Sequence, residues 1–184
     1  AVTSTLFLFF VESRLAAPGL EGPLLLLFFL SAAASAPLWS RAASRFGAKR
    51  SLLAAMALAI AAFLWAVALR EGDALPFAVI CAASGAALGA DLTLLPALFA
   101  RRLAVLGRGE GAAFGLWSFM SKLSLALAAA TLLPALSAAG FTPGLDNAPE
   151  ALFALSVLYA AVPCALKVFA MALLAMTETD ESHA

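Results

Sequence analysis

Five long apolar stretches limit what this chain can fold into. Pro23 to Trp39 is the shortest and can extend back through Leu20 or forward to Ser40. Ser51 to Leu69 runs 19 residues with no charge, and Pro76 to Ala100 runs 25 with only Asp91. Gly111 to Ala139 runs 29 with only Lys122, and Ala151 to Met176 runs 26 with only Lys167. At 1.5 Å per residue, about 20 helical residues cross a ~30 Å hydrocarbon core, so each stretch is long enough to span a bilayer. None alternates apolar and polar residues as a half-buried strand does, and their wealth of Ala and Leu favours helix. Inside lipid every backbone N–H and C=O needs an internal partner, and a bundle of transmembrane helices meets that demand.

The composition agrees. Of the 184 residues, 64% are hydrophobic and 12% charged, with a mean hydropathy of +1.02, which leaves too little polar material to cover a soluble globule. Eleven Lys and Arg balance eleven Asp and Glu, so no net basic charge is available to hold a phosphate backbone, and a nucleic-acid partner is not expected. Cys81 and Cys164 both lie inside apolar stretches and imply neither a disulfide framework nor a metal cluster. Ala1 to Val11 is apolar but lacks an initiator Met, a basic leader and a small-residue cleavage site, and it reads as the truncated end of a longer hydrophobic segment. The expected domain is a single unit, 1–184, with spans at about 1–17, 22–40, 51–69, 76–100, 111–139 and 151–176.

The connections between spans carry an orientation signal. Arg41, Arg45, Lys49 and Arg50 stand between the second and third spans, and Arg101, Arg102 and Arg108 between the fourth and fifth. The alternate connections contain only Arg14 and Arg70 as basic residues, beside Glu12, Glu21, Glu71, Asp73, Asp146 and Glu150. By the positive-inside rule the first set forms cytoplasmic loops, and six spans then place both ends of the chain in the cytoplasm. The acidic run Glu178, Asp180, Glu181 is no obstacle, because acidic residues weigh little in that rule.

Chemistry for a soluble enzyme is missing: His183 lies in a polar tail, and no nucleophile triad, metal-spaced cluster or phosphate-cradling loop is present, so neither catalytic nor cofactor-binding residues are expected. The informative residues are the charges inside spans. Asp91 lies ten residues before Arg101 and Lys122 eleven after Gly111, which puts both about 15 Å deep, where an isolated ion costs several kcal/mol. They can pair with each other, or each can face an aqueous cavity. Lys167, nine residues before Met176, can snorkel to the interface, yet Ser156, Tyr159, Pro163 and Lys167 fall within about 80° of one another on an ideal helix. Ser118, Ser121 and Lys122 form a similar polar cluster. Hydroxyls with an ammonium can bind a polyhydroxylated or anionic solute, whereas the bland reading of the serines is interhelical packing. Gly85 and Gly89, beside Ser84, form a GxxxG pair suited to close helix contact, and Pro96, Pro134 and Pro163 can kink their spans.

Several of these pieces, in this order, resemble the C-terminal half of a major facilitator superfamily transporter of the glycoside-pentoside-hexuronide:cation symporter family, to which the melibiose permeases belong. Pro37-Leu-Trp-Ser-Arg41 followed by Arg45-Phe-Gly-Ala-Lys-Arg50 is similar to the loop between that family's eighth and ninth helices. Gly89-Ala-Asp91 with Pro96, then Arg108-Gly-Glu-Gly111, Phe114-Gly-Leu-Trp-Ser118 and Lys122-Leu123, resembles its tenth and eleventh helices, and Phe141-Thr-Pro-Gly144 its last turn. The stretch Ala100 to Leu106 departs from the family in lacking the acids usual there. The resemblance implies an all-α polytopic bundle of helices seven to twelve, the first truncated, in a bacterial inner membrane, with the missing N-terminal half as partner. It implies cation-coupled symport of a sugar or related solute by alternating access, with sodium or a proton bound mainly by that other half. Lys122 matches the family's eleventh-helix lysine, tied to sugar binding or coupling, and Asp91 an acidic position of its tenth helix. The wider set of site candidates is Lys122, Asp91, Ser118, Ser121, Tyr159 and Lys167. Two other readings stand beside this one: a membrane scaffold in which the charges only glue helices together, and a channel-like ring of six-span units.

Overall fold

The computed structural model describes residues 2–106 and 110–176, and all of their regular structure is helical. In chain order the elements are α1 (Val2–Phe9), running into a π-helical turn at Phe10–Arg14; α2 (Glu21–Phe46); α3 (Ala48–Val67); α4 (Ala74–Leu106); α5 (Glu110–Ala138); and α6 (Pro149–Ser156), which continues through a second π turn at Val157–Ala161 into α7 (Val162–Met176). Five helices are long and apolar enough to cross a membrane: Glu21–Phe46, Ala48–Ala66, Ala74–Val105, Gly111–Ala138 and Pro149–Met176. The expected first span, 1–17, is instead a shorter helical piece that turns out of helix after Arg14.

The helix ends follow from local chemistry. Gly47 alone separates α2 from α3, at φ 91°, a conformation that side chains rarely adopt. Its carbonyl accepts both the Ser51 N–H at 3.1 Å and the Ser51 hydroxyl at 2.9 Å, which starts α3. The connection expected to be a loop is therefore mostly helical: helix runs past the expected span 22–40 through Arg41 and Arg45 to Phe46, and Lys49 and Arg50 already lie in α3. Arg101 and Arg102 likewise sit on α4, while Arg108 lies outside the described residues. α5 stops in a Schellman arrangement, with Gly140 N donating to Ser137 O and Phe141 N to Leu136 O, and both Phe141 and Leu136 are buried in the core. Asn147 then closes the turn, accepting Thr142 N–H at 2.7 Å and donating to the carbonyls of Thr142 and Leu145.

The tightest packing joins α2 to α4. A methyl added at Gly85 would fall on the Phe28 carbonyl, and one at Gly89 on the Ser35 hydroxyl and the Ala32 carbonyl. The two backbones therefore touch, and the Ser35 hydroxyl and the Trp39 indole N–H both donate to Ala86 O, at 2.9 and 2.7 Å. An aromatic core holds the opposite end together. Phe10 stacks on Tyr159 at 4.3 Å, so the two π turns face each other, with Phe77 5.3 Å from Phe10 and Phe63 6.0 Å from Tyr159. Many large apolar side chains point outward, Leu26, Leu30, Leu64 and Phe169 among them, as a lipid solvent permits.

Candidate functional site

Asp91 on α4 and Lys167 on α7 form a direct ion pair, Lys167 Nζ donating to Asp91 Oδ2 at 2.6 Å. Each side chain keeps about a quarter of its surface exposed, 22% for Asp91 and 25% for Lys167, because the pair borders a cavity of about 830 Å³. The wall is mostly apolar, with Leu52, Met56, Ile60, Leu88 and Leu95 prominent. Among its other polar groups the Ser84 hydroxyl donates to Ile80 O at 2.6 Å and the Cys164 thiol to Ile60 O at 3.6 Å, and Thr3 adds a hydroxyl from α1. Tyr159 also lines the cavity, with its ring held by Phe10.

Sequence spacing offered Lys122 as a partner for Asp91, and the packing selects Lys167. The sequence did not point to Lys167 for this pair, since the choice depends on which helices pack around α4. The stripe Ser156, Tyr159, Pro163, Lys167 also changes. Tyr159, Pro163 and Lys167 line the cavity, whereas Ser156 is fully buried and donates to Leu152 O at 3.0 Å. The π turn at Val157–Ala161 explains the loss, because its wider turn breaks the 100° per residue on which the stripe was drawn. Cys81, Ser84 and Cys164 line the cavity too, although the sequence marked them only as small residues inside apolar stretches.

A second polar group stands apart. Ser118, Ser121 and Lys122 are exposed on α5 and do not line the cavity. The Ser121 hydroxyl bonds back to Trp117 O at 2.9 Å, and Lys122 has neither a hydrogen-bond nor an ion-pair partner among the described residues. Phe99 of α4 packs on Phe114 at 5.4 Å and Trp117 at 5.0 Å, which fixes the antiparallel register of α4 and α5. Asp91 lies eight residues before Phe99 and Lys122 eight after Phe114, each about 12 Å away along its helix. The two charges thus share a depth without meeting.

The described residues thus form a bundle with five membrane-length helices, an ion pair between α4 and α7 and an exposed lysine on α5. The sequence profile of the family described as MFS/sugar transport protein matches residues 1–181. The chain belongs to that family. No curated protein matches it significantly. As a major facilitator sugar-transport family member, the chain is a transport protein rather than an enzyme. Among its described residues, no group of three or more His, Cys, Asp or Glu is placed to hold a metal ion.

Arg41, Arg45, Lys49, Arg50, Arg101 and Arg102 of this MFS protein gather at one end of the bundle, while Arg14 and Arg70 lie at the other. Lys49, in the first turn of α3, donates to Ala175 O near the end of α7 at 3.0 Å, where a cation satisfies a terminal carbonyl and opposes the helix dipole. At the other end Gly72 N donates to Leu15 O at 3.1 Å, joining two of the connections that carry acids. The acid-bearing turns are locally tied, Asp73 accepting Arg70 N–H and Glu21 accepting Gly19 N–H, each at 2.8 Å.

Proposed function

We propose that this chain is the C-terminal half of a cation-coupled symporter of the glycoside-pentoside-hexuronide type, moving a sugar or related small solute by alternating access. On this reading its helical segments are helices seven to twelve of a bacterial inner-membrane protein, with the basic end in the cytoplasm. An N-terminal six-helix half packs across the face that bears α5 and supplies most of the site for the coupling sodium ion or proton. The central solute path runs along that face, and Lys122, with Ser118 and Ser121, reaches into it. The Asp91–Lys167 pair and Tyr159 hold α4 and α7 in place behind it.

The observation that carries this reading is the state of Lys122. An ammonium at bilayer mid-depth costs about 2.5–3.5 kcal/mol even by the mildest scale, and here it has no partner among the described residues, on a helix flank that also presents two hydroxyls. A charge kept under those conditions is explained by a water-filled path and a solute or second half that meets it. A pure scaffold would have used the lysine in a pair, as Lys167 is used.

Uptake of labelled sugars and uronates into proteoliposomes carrying the complete protein tests this. Lys122→Met should lower cation-driven uptake about 10- to 100-fold, the loss of one charge-assisted hydrogen bond in a desolvated site, with expression and thermal midpoint retained. Uptake equal to that of the parent would remove Lys122 from the path.

A further inference from the structure

The cavity wall changes character along its length. Leu52, Leu95 and Leu174, part of the packing of α3, α4 and α7 near the basic end, make one stretch of it aliphatic. The other stretch is aromatic. Phe7 and Tyr159 come from the core around the two π turns, Phe28 and Phe63 pack against that core, and Phe29 stands 5.3 Å from Phe28. Leu8 and Phe29, 56% and 54% exposed, form an apolar rim to this part of the space.

One polar group in the aromatic part is uncommitted. Tyr159 is only 2% exposed, its ring lies 4.3 Å from Phe10 and 6.0 Å from Phe63, and its hydroxyl has no hydrogen-bond partner among the described residues. The oxygen is not sealed in either, since Arg14 Nε is the one side-chain polar atom among the described residues that is both enclosed and unpartnered. It therefore opens on the cavity that Tyr159 lines. The neighbouring polar groups are already engaged. Ser84 gives its proton to Ile80 O at 2.6 Å, and Asp91 and Lys167 hold each other, with Lys167 about 12 Å from Tyr159 along its helix.

We propose that the aromatic part of the cavity is a binding site for a neutral aromatic molecule bearing one hydrogen-bonding oxygen, such as an aryl ketone or an aryl alcohol. Its ring packs edge-to-face or offset among Phe7, Phe28 and Phe63, and the Tyr159 hydroxyl donates to its oxygen. A charged ligand does not fit, because the ion pair is already neutral and the apolar wall holds no other counter-ion. A sugar does not fit either, since its many hydroxyls would leave water for a single free partner. The whole cavity, about 830 Å³, lies within the ~300–1,000 Å³ of sites for drug-sized molecules, so a compound of one or two rings fills only the aromatic part. This site is separate from the Lys122 flank, and its occupant is a ligand additional to any solute moved there.

Three naphthalenes of nearly one shape test this on the complete protein in lipid nanodiscs, with the thermal midpoint followed against ligand concentration: 2-acetylnaphthalene, 2-ethylnaphthalene and 2-naphthoate. The acetyl compound should raise the midpoint and bind about tenfold more tightly than the ethyl compound, the effect of one hydrogen bond, while naphthoate should leave the midpoint where it was. Tyr159→Phe keeps the ring and removes the oxygen, so the acetyl and ethyl compounds should bind it equally. Phe29→Leu, at the exposed rim and away from the core, should weaken both about 2- to 10-fold. No midpoint shift with acetylnaphthalene, an equal shift with naphthoate, or an acetyl preference that survives Tyr159→Phe would overturn the proposal, as would parent-strength binding to Phe29→Leu.

Discussion

Three charges in the spans behave differently because their surroundings differ. Asp91 and Lys167 neutralise each other across 2.6 Å, and a double substitution should reveal it. Asp91→Asn leaves an unmatched ammonium at the cavity edge and should destabilise the protein by about 1–3 kcal/mol, below the about 3–5 of a fully buried pair because both groups keep some solvent contact. Adding Lys167→Met removes that ammonium, so Asp91→Asn with Lys167→Met should unfold closer to the parent than Asp91→Asn alone. Thermal unfolding in detergent reads this, and additive losses would mean that the two residues do not act as a pair. That these charges stand inside apolar stretches was legible in the sequence. Which base Asp91 takes was not, because Lys122 and Lys167 lie on different helices and only packing around α4 decides between them.

At the scale of elements, the GxxxG pair has a specific job in holding α4 on α2. Gly85→Leu or Gly89→Leu forces side-chain atoms into backbone and should cost about 1–3 kcal/mol or more, with partial separation of α2 from α4. Gly115→Ala on α5 is the contrasting case. Nothing lies within 4 Å of its added methyl, so it should be neutral or stabilise by up to about 1 kcal/mol through helix propensity. Unfolding midpoints of the glycine variants distinguish a contact role from mere helix tolerance. The five long helices were readable from length and hydropathy alone, and the small-residue motif was visible without its partner face. The two π turns were not readable: Phe10–Arg14 and Val157–Ala161 contain no proline or glycine, and they form where Phe10 and Tyr159 stack across the core. For that reason the polar stripe drawn on an ideal helix lost Ser156 to the interior. The charge-bearing connection after α2 was also misread as loop, because Arg41 and Arg45 are good helix formers and only Gly47 breaks the chain there.

Across the whole molecule, two polar groups on one bundle stand in two different environments. Asp91 and Lys167 border a half-open space among α1, α2, α3, α4 and α7, and Lys122 with Ser118 and Ser121 stands exposed on α5. The two ends of the bundle differ in charge, with Lys49 joined to the end of α7 and the acidic turn around Asp73 at the other pole. The claim on which the functional reading depends is that position 122 faces a solute-filled path. Lys122→Cys in the complete protein, reacted in membrane vesicles with a water-soluble methanethiosulfonate, tests that claim most directly. The account predicts labelling from the aqueous phase that slows about tenfold when the transported solute is present, and a thiol that reacts only with lipid-soluble reagents, indifferent to any sugar or uronate, would contradict it.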